Sequence, residues 1–265
     1  MLYRTSRSNR IRLISLALPY LANPEEVWAA ASSESRLPPF ALKTGHVIHH
    51  APEDEPEFLF YEQFVADSYL PAWFYSPKPG HVVLDCGANM GMFAIRLAVA
   101  APGITVHCFE PAASARSRLH ANLAANNLLG HAAIHPLAIA GHCGSVVLYH
   151  TWASGHRSIF AYDRVLSGAG EECECVDLNR AVEMCNADRI DLLKIDVEGA
   201  EIEILEAASD ATLSAVRRVV VEYHEHIRPG RGQRVLERLR ECNFRKIAAV
   251  PPLSAGKVSG LIFAC

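Results

Sequence analysis

No segment of this 265-residue chain stays apolar long enough to cross a bilayer. The nearest approach, "LISLALPYLA" at residues 13–22, is cut by Pro19. Arg4, Arg7, Arg10 and Arg12 in front of it imitate the basic part of a secretory leader, but no small-residue cleavage site follows. The stretch is therefore expected to form a surface helix. Positive charge is not in excess either: 25 Lys and Arg against 29 Asp and Glu give a net charge of -4. That balance counts against a nucleic-acid polyanion as partner. The eight cysteines contain no C-x-x-C pair, so Cys173 and Cys175 lack the second pair that a zinc site needs. Several cysteines lie in apolar runs and read as reduced thiols, which points to a cytoplasmic location without membrane attachment. Internal repeats and low-complexity tracts are absent as well.

What is present is an alternation of apolar strands and helical segments from Gly80 onward, the pattern of a parallel sheet covered on both faces. Strands are expected near 81–85, 104–109, 132–135, 190–195, 217–223, 244–249 and 260–264. Helices are expected near 91–100, 112–128, 178–186, 199–208 and 231–242. "GSVVLYH" and "EECECVDL" read as an antiparallel excursion, with "TWASGHRSIF" as the loop between them. The last two strands, joined by "PPLSAGKVSG", have no room for a crossover helix and should pair antiparallel at an edge. Residues 1–56 read as an N-terminal extension or lid, with a helix over "NPEEVWAAA" capped by Asn23 and a short strand in "HVIHH". Its His46, His49 and His50 read as surface histidines, since a strand keeps the first two off a common face. Residues 57–265 form the main domain. It opens on an aromatic-rich helix, "FLFYEQFVADSYLPAWF", whose Phe60, Phe64, Tyr69 and Trp73 are placed to cover one end of the sheet.

The stretch "VVLDCGANMGMF" (82–93) joins a strand to a helix through a glycine turn, a cradle for a nucleotide-like ligand. The third glycine of the G-x-G-x-x-G dinucleotide fingerprint is missing, and Asp85 stands at the end of the strand. A carboxylate there disfavours a pyrophosphate and suits a cationic ligand without phosphate, S-adenosyl-L-methionine. Asp85, Gly87, Asn89 and Gly91 are the first cofactor-binding candidates. Glu110 closes the second strand in "VHCFEP", nineteen positions beyond Gly91, where an acid can accept both ribose hydroxyls. Asp196, ending "LLKID", is a further candidate.

"VVLDCGANMGMF", "VHCFEP", "LLKIDVEGAEIEIL" and "VRRVVVEYHEH", in this order and spacing, resemble the FkbM family of S-adenosylmethionine-dependent methyltransferases over roughly residues 57–250. The resemblance implies an α/β fold of the class I methyltransferase (Rossmann-like) type. It also implies a seven-stranded, mostly parallel sheet in the order 3-2-1-4-5-7-6. The implied activity is usually O-methylation of a hydroxyl on a small metabolite, sugar or natural product. Residues 1–56 have no counterpart in the family pattern.

In open α/β sheets ligands bind beyond the carboxyl ends of the strands, so the residues ending the fourth and fifth strands are the catalytic candidates. His224 is the expected base, because imidazole titrates nearest neutrality. Glu222 would orient it or bind the acceptor, and Asp196 is the second candidate base. Lys194, in mid-strand, needs a carboxylate partner, with Glu222 and Asp85 the candidates. A competing reading gives Asp196, Glu198, Glu222 and His224 to a divalent ion, Mg²⁺ or Mn²⁺. His224 also has a purely structural reading. Glu201 reads either as a complement to a helix dipole or as a functional acid, and Glu203 and Glu206 as a solvated face. His156 and Arg157 are candidates for substrate contact, and His226 shares the strand face of His224. The acceptor is expected to be a small-molecule hydroxyl. An N-methyltransferase, a NAD-dependent oxidoreductase and a non-catalytic cofactor-binding protein are the alternatives. The sequence carries no sign of oligomeric state.

Overall fold

Short runs of Val, Leu and Ile punctuated by glycine and acid fix the framework, because each is apolar on both sides and must be buried on both. The computed structural model describes residues 6–151, 158–159, 165–225, 230–250 and 259–265. In chain order it contains α1 (Arg7–Ala17), α2 (Pro24–Ser32), β1 (Phe40–Ala41), β2 (Val47–Ile48) and α3 (Pro56–Phe60). The main sheet begins with β3 (Val82–Cys86), α4 (Met92–Ala100), β4 (Thr105–Phe109), α5 (Ala113–Ala125) and β5 (Ala132–His135). An excursion follows, made of β6 (Ala138–Ile139), β7 (Gly144–Thr151) and β8 (Val165–Val176). The chain then returns through α6 (Leu178–Met184), β9 (Leu192–Ile195), α7 (Glu201–Ala207), α8 (Asp210–Ser214) and β10 (Val219–His224). It closes with α9 (Arg231–Glu241), β11 (Ile247–Val250) and β12 (Ser259–Ala264).

The seven-stranded sheet runs β11-β12-β10-β9-β3-β4-β5. Numbered along the chain, this is the 3-2-1-4-5-7-6 order that the resemblance implies. β12 runs antiparallel to both β10 and β11, and the other neighbours are parallel, so the expected edge pair is present. The excursion is a smaller sheet in which β7 pairs antiparallel and β6 parallel with β8. The chain leaves β3 toward β4 on one side and later places β9 on the other. The crevice outside this switch in strand order is where such folds bind ligands.

Alternation along the strands divides the core. Leu84, Leu193, Ile195, Val219 and Val221 pack on one face, and Val83, Val106, Leu192, Val220 and Phe263 on the other. The N-terminal segment adds a third cluster, in which Ile14, Leu21, Phe40 and Phe60 pack against Met90, Met92 and Ile95 at the start of α4. α1 is thus not confined to the surface, since Leu13, Ile14 and Ala17 are buried. Two asparagines of α5 hold β2 in place of a third strand. Asn122 and Asn126 each accept from one backbone N–H of the β2 region at 2.7 Å, and each donates back to a carbonyl there.

Local expectations change in two places. The aromatic helix is shorter than its sequence suggests: α3 continues as a single wide turn over Tyr61–Val65 and stops where Asp67 adopts φ 48°. Phe60 and Phe64 stack at 4.8 Å, Tyr69 is buried in the turn that follows, and Trp73 is exposed. Asn23 does not cap α2 with its side chain; it bridges to the backbone of Pro39 and Ala41 instead. His156, Arg157 and His226 lie outside the described residues.

Candidate active site

The glycine turn takes its shape from the end of β9. Gly87, Asn89 and Gly91 all have positive φ (86°, 47° and 84°). A Cβ on Gly87 would lie 1.9 Å from the Asp196 carbonyl oxygen, so only glycine lets the neighbouring strand end come this close. Gly91 plays the same part toward α5, where a Cβ would meet the Leu119 side chain at 2.5 Å. The Gly87 and Ala88 N–H groups donate to the Phe109 carbonyl, which ties the turn to the end of β4.

Asp85 lies directly opposite Lys194 in the parallel register of β3 and β9, so both side chains point to the same face of the sheet. Lys194 Nζ donates to Asp85 at 3.1 Å and to Asp196 at 3.3 Å, beneath the rings of Tyr69 and Phe93. Burial alone would push the Lys194 pKa down; the two carboxylates reverse this and raise it, so the ammonium stays charged. The partner is Asp85 rather than Glu222. This corrects the picture of Asp85 as a free carboxylate at the lip of the strand: it is fully buried and neutralised. Neither Asp85 nor Gly91 lines the crevice, whereas Gly87, Asn89, Glu110, Asp196, Glu198 and Glu222 do.

Other carboxylates line the crevice instead, Glu110, Asp196, Glu198 and Glu222 among them. Glu110 is held by backbone N–H groups of Asn89 at 2.8 Å and Ala112 at 2.9 Å, a fixed acceptor for a ribose. Phe109, Pro111, Ile139, Leu148 and Ile159 give this part of the crevice an apolar lining suited to a flat base. The Asn89 Oδ1 atom is buried without a protein donor, as an acceptor for a ligand ammonium would be. This lining fits S-adenosyl-L-methionine. Asp54 of the N-terminal extension, with Phe58 and Glu62 at the start of the main domain, completes the wall.

Asp196 and Glu222 meet where β9 and β10 end. The Tyr69 hydroxyl donates to both, at 3.1 Å to Asp196 and through a short contact to Glu222. Burial first, and then these two carboxylates, hold the phenol well above its ordinary pKa, so it remains a donor. Burial and the nearby Asp196 also push the Glu222 carboxyl up.

His224 is 4% exposed and ringed by acids. Its Nδ1 is 2.7 Å from Glu201 Oε1, and its Nε2 is 3.4 Å from Glu198 and 4.0 Å from Glu222. Burial would lower its pKa, but Glu198 and Glu201 override this and raise it well above the usual imidazole value. His224 is thus held by Glu201 through Nδ1 and does not itself line the crevice. Glu222, expected to orient His224 or bind the acceptor, and Asp196, the second candidate base, both line the crevice. Glu201 does more than complement a helix dipole: it is wholly buried, engages the His224 ring and also accepts the Gly199 N–H at 2.7 Å. Glu203 is not on a free face either, since Arg231 grips it with two hydrogen bonds at 2.7 and 3.0 Å, joining α7 to α9. Two contacts escaped sequence reading: that of the Tyr69 hydroxyl with the crevice carboxylates, and that of Ser158, whose hydroxyl donates to the Glu198 carbonyl.

A sheet of this order, with acids and an apolar lining at its switch point, defines a class I methyltransferase fold built around S-adenosylmethionine. Residues 85–246 match the family described as "Methyltransferase FkbM domain". The 31-O-demethyl-FK506 methyltransferase FkbM of Streptomyces tacrolimicus is 30% identical over 81% of this chain and 92% of its own length. The AMB antimetabolite synthetase AmbE of Pseudomonas aeruginosa is 31% identical over 77% of this chain, which spans only 11% of that longer protein. Among solved structures, a methyltransferase FkbM from Methylobacillus flagellatus shares the fold with a TM-score of 0.55 at 13% identity, over 96% of this chain and 58% of that one. The chain belongs to the FkbM methyltransferase family and is an S-adenosylmethionine-dependent methyltransferase. Among the described residues no helix is long and apolar enough to cross a membrane.

Proposed function

We infer that the enzyme O-methylates a hydroxyl of a small organic acceptor, with Glu222 as the proton acceptor. The observation that carries this reading is the pair of carboxylates, Asp196 and Glu222, gathered by the Tyr69 hydroxyl inside the cofactor crevice. Bound S-adenosylmethionine supplies an activated methyl on a sulfonium. Glu110 would hold its ribose, and Asn89 would receive its ammonium. Glu222 takes the acceptor O–H proton as the oxygen attacks the methyl carbon. The new O–C bond forms as the C–S bond breaks, and its electron pair stays on sulfur as a thioether. Tyr69 fixes the two carboxylates relative to each other, and the residues lining the crevice position acceptor and donor for an in-line displacement, worth ~7–11 kcal/mol in well-oriented systems.

One further observation supports a hydroxyl acceptor, and another bears on location. The name of the Streptomyces relative gives an O-demethyl compound as its acceptor. All eight cysteines are free thiols, in keeping with a reducing compartment such as the cytoplasm. The test is methyl transfer from isotopically labelled S-adenosylmethionine to a panel of alcohols, sugars and amines, analysed by mass spectrometry. Methylated alcohols are expected. Glu222→Gln should lower kcat by about 10²–10⁴-fold, the range for a lost general base, with cofactor affinity little changed. Methylation of amines alone, at a rate indifferent to Glu222→Gln, would overturn the reading.

A further inference from the structure

We propose that Asp196, Glu198 and His224 hold one divalent cation of the Mg²⁺/Mn²⁺ class, to which the acceptor hydroxyl binds. The inference rests on the O-methyl-transfer reading of this crevice and deepens it. One ligand atom from each of the three residues can be chosen so that all lie within 4.8 Å of one another. In an octahedral Mg²⁺ site neighbouring ligands stand about 3.0 Å apart and opposite ones about 4.2 Å, so the three must draw closer together to share an ion. Their chemistry suits such an ion: two carboxylate oxygens favour Mg²⁺ and Mn²⁺, and one imidazole shifts the preference toward Mn²⁺.

The arrangement around His224 is a second observation, independent of the acids. Glu201 Oε1 already accepts the Gly199 N–H, so it acts as acceptor toward the ring as well, and Nδ1 must be the donor. This leaves Nε2 turned toward Glu198 and Glu222. A carboxylate that fixes the tautomer of a ligating histidine is the usual support of a metal site. Glu201 Oε2 is buried with no hydrogen-bond partner, an anionic group whose burial a cation on the far side of the ring would offset. The backbone that aims the second ligand is also held in place. Glu198 sits at φ 54°, a conformation disfavoured for any side chain but Asn, Asp or Gly, and the buried Ser158 hydroxyl bonds its carbonyl. Bound there, the cation replaces the proton on Nε2 and polarises the acceptor hydroxyl. Glu222, whose nearer oxygen is 4.0 Å from Nε2, remains outside the ligand set to take the released proton.

The experiment is titration of Mn²⁺ alone into the full chain, followed by loss of the free-ion paramagnetic resonance signal, with cofactor binding measured separately by calorimetry. One saturable site is expected. Glu198→Gln and Asp196→Asn should each weaken it at least about tenfold. Glu201→Gln, a positioning change, should weaken it about 10–100-fold while cofactor affinity stays within about twofold. Absence of saturable Mn²⁺ binding, in protein that still binds S-adenosylmethionine, overturns the cation site and leaves methyl transfer standing. Mn²⁺ binding that is equal in wild type, Glu198→Gln and Asp196→Asn overturns the assignment to these residues. Saturable Mn²⁺ binding without cofactor binding keeps the site and removes the methyl-transfer reading.

Discussion

Lys194 sits in the middle of a central strand, 2% exposed, and owes its charge to Asp85 and Asp196. Removing it leaves Asp85 buried and uncompensated, and breaking a buried pair from one side costs ~3–5 kcal/mol. Lys194→Met should therefore lower the urea midpoint strongly, and Lys194→Met combined with Asp85→Leu should recover much of the loss. A double variant no more stable than the single one would show that Asp85 is not the cause. This pairing was legible in the sequence, because a mid-strand lysine must find a carboxylate. The role of His224 was not. A strand pattern tells which face a histidine occupies, but the three acids around it come from β10 itself, the β9–α7 turn and the first turn of α7, and only the fold brings them together. Glu201 was hidden for a related reason: an acid opening a helix already has a local explanation, and that explanation masks a partner 23 residues away.

At the level of elements, the sheet was readable because apolar runs, glycine turns and connection lengths all agreed. The segment after α3 was not, because aromatic spacing continues past the point where the backbone turns at Asp67, and Tyr69 carries no motif. Another contact invisible in sequence binds α9 and β12 to β10. The Tyr223 ring fills the space beside two glycines, and a Cβ on Gly232 would lie 2.7 Å from the ring and one on Gly260 2.4 Å from its hydroxyl. Gly260→Ala is expected to destabilise by ~1–3 kcal/mol, the usual cost of overpacking. Combining it with Tyr223→Leu should return part of that loss in chemical denaturation, and a Gly260→Ala protein of unchanged stability would contradict this packing account.

For the molecule as a whole, part of the effect of pH on stability runs through two stacked imidazoles, His107 buried and His135 half-buried. His107 on β4 and His135 on β5 stack with ring centroids 5.4 Å apart, and burial lowers both pKa values. In the unfolded chain a histidine binds its proton near pH 6.5. The folded state resists that proton, so the unfolded chain binds more of it and stability falls with pH. The contribution is full above about 6.5 and is lost as pH drops from there toward the lower folded values. The raised pKa of His224 acts in the opposite sense, so the contribution of this pair is read as a difference: between about pH 7.5 and pH 5.5 His135→Asn should lose less Tm than the unchanged protein. An identical pH dependence in the variant would assign the effect to other groups.

The wall of the crevice comes from two different stretches of the chain. Glu110 and the lining beside it follow from β4 and the excursion, whereas Asp54, Phe58 and Glu62 arrive from residues outside the region that matches the family. The protein is in this sense modular. Drift in its leading segment can remould which molecule is admitted while the methyl-donor cradle stays as it is, so a lineage of such enzymes can diversify its chemistry by re-lining one side of a single cleft.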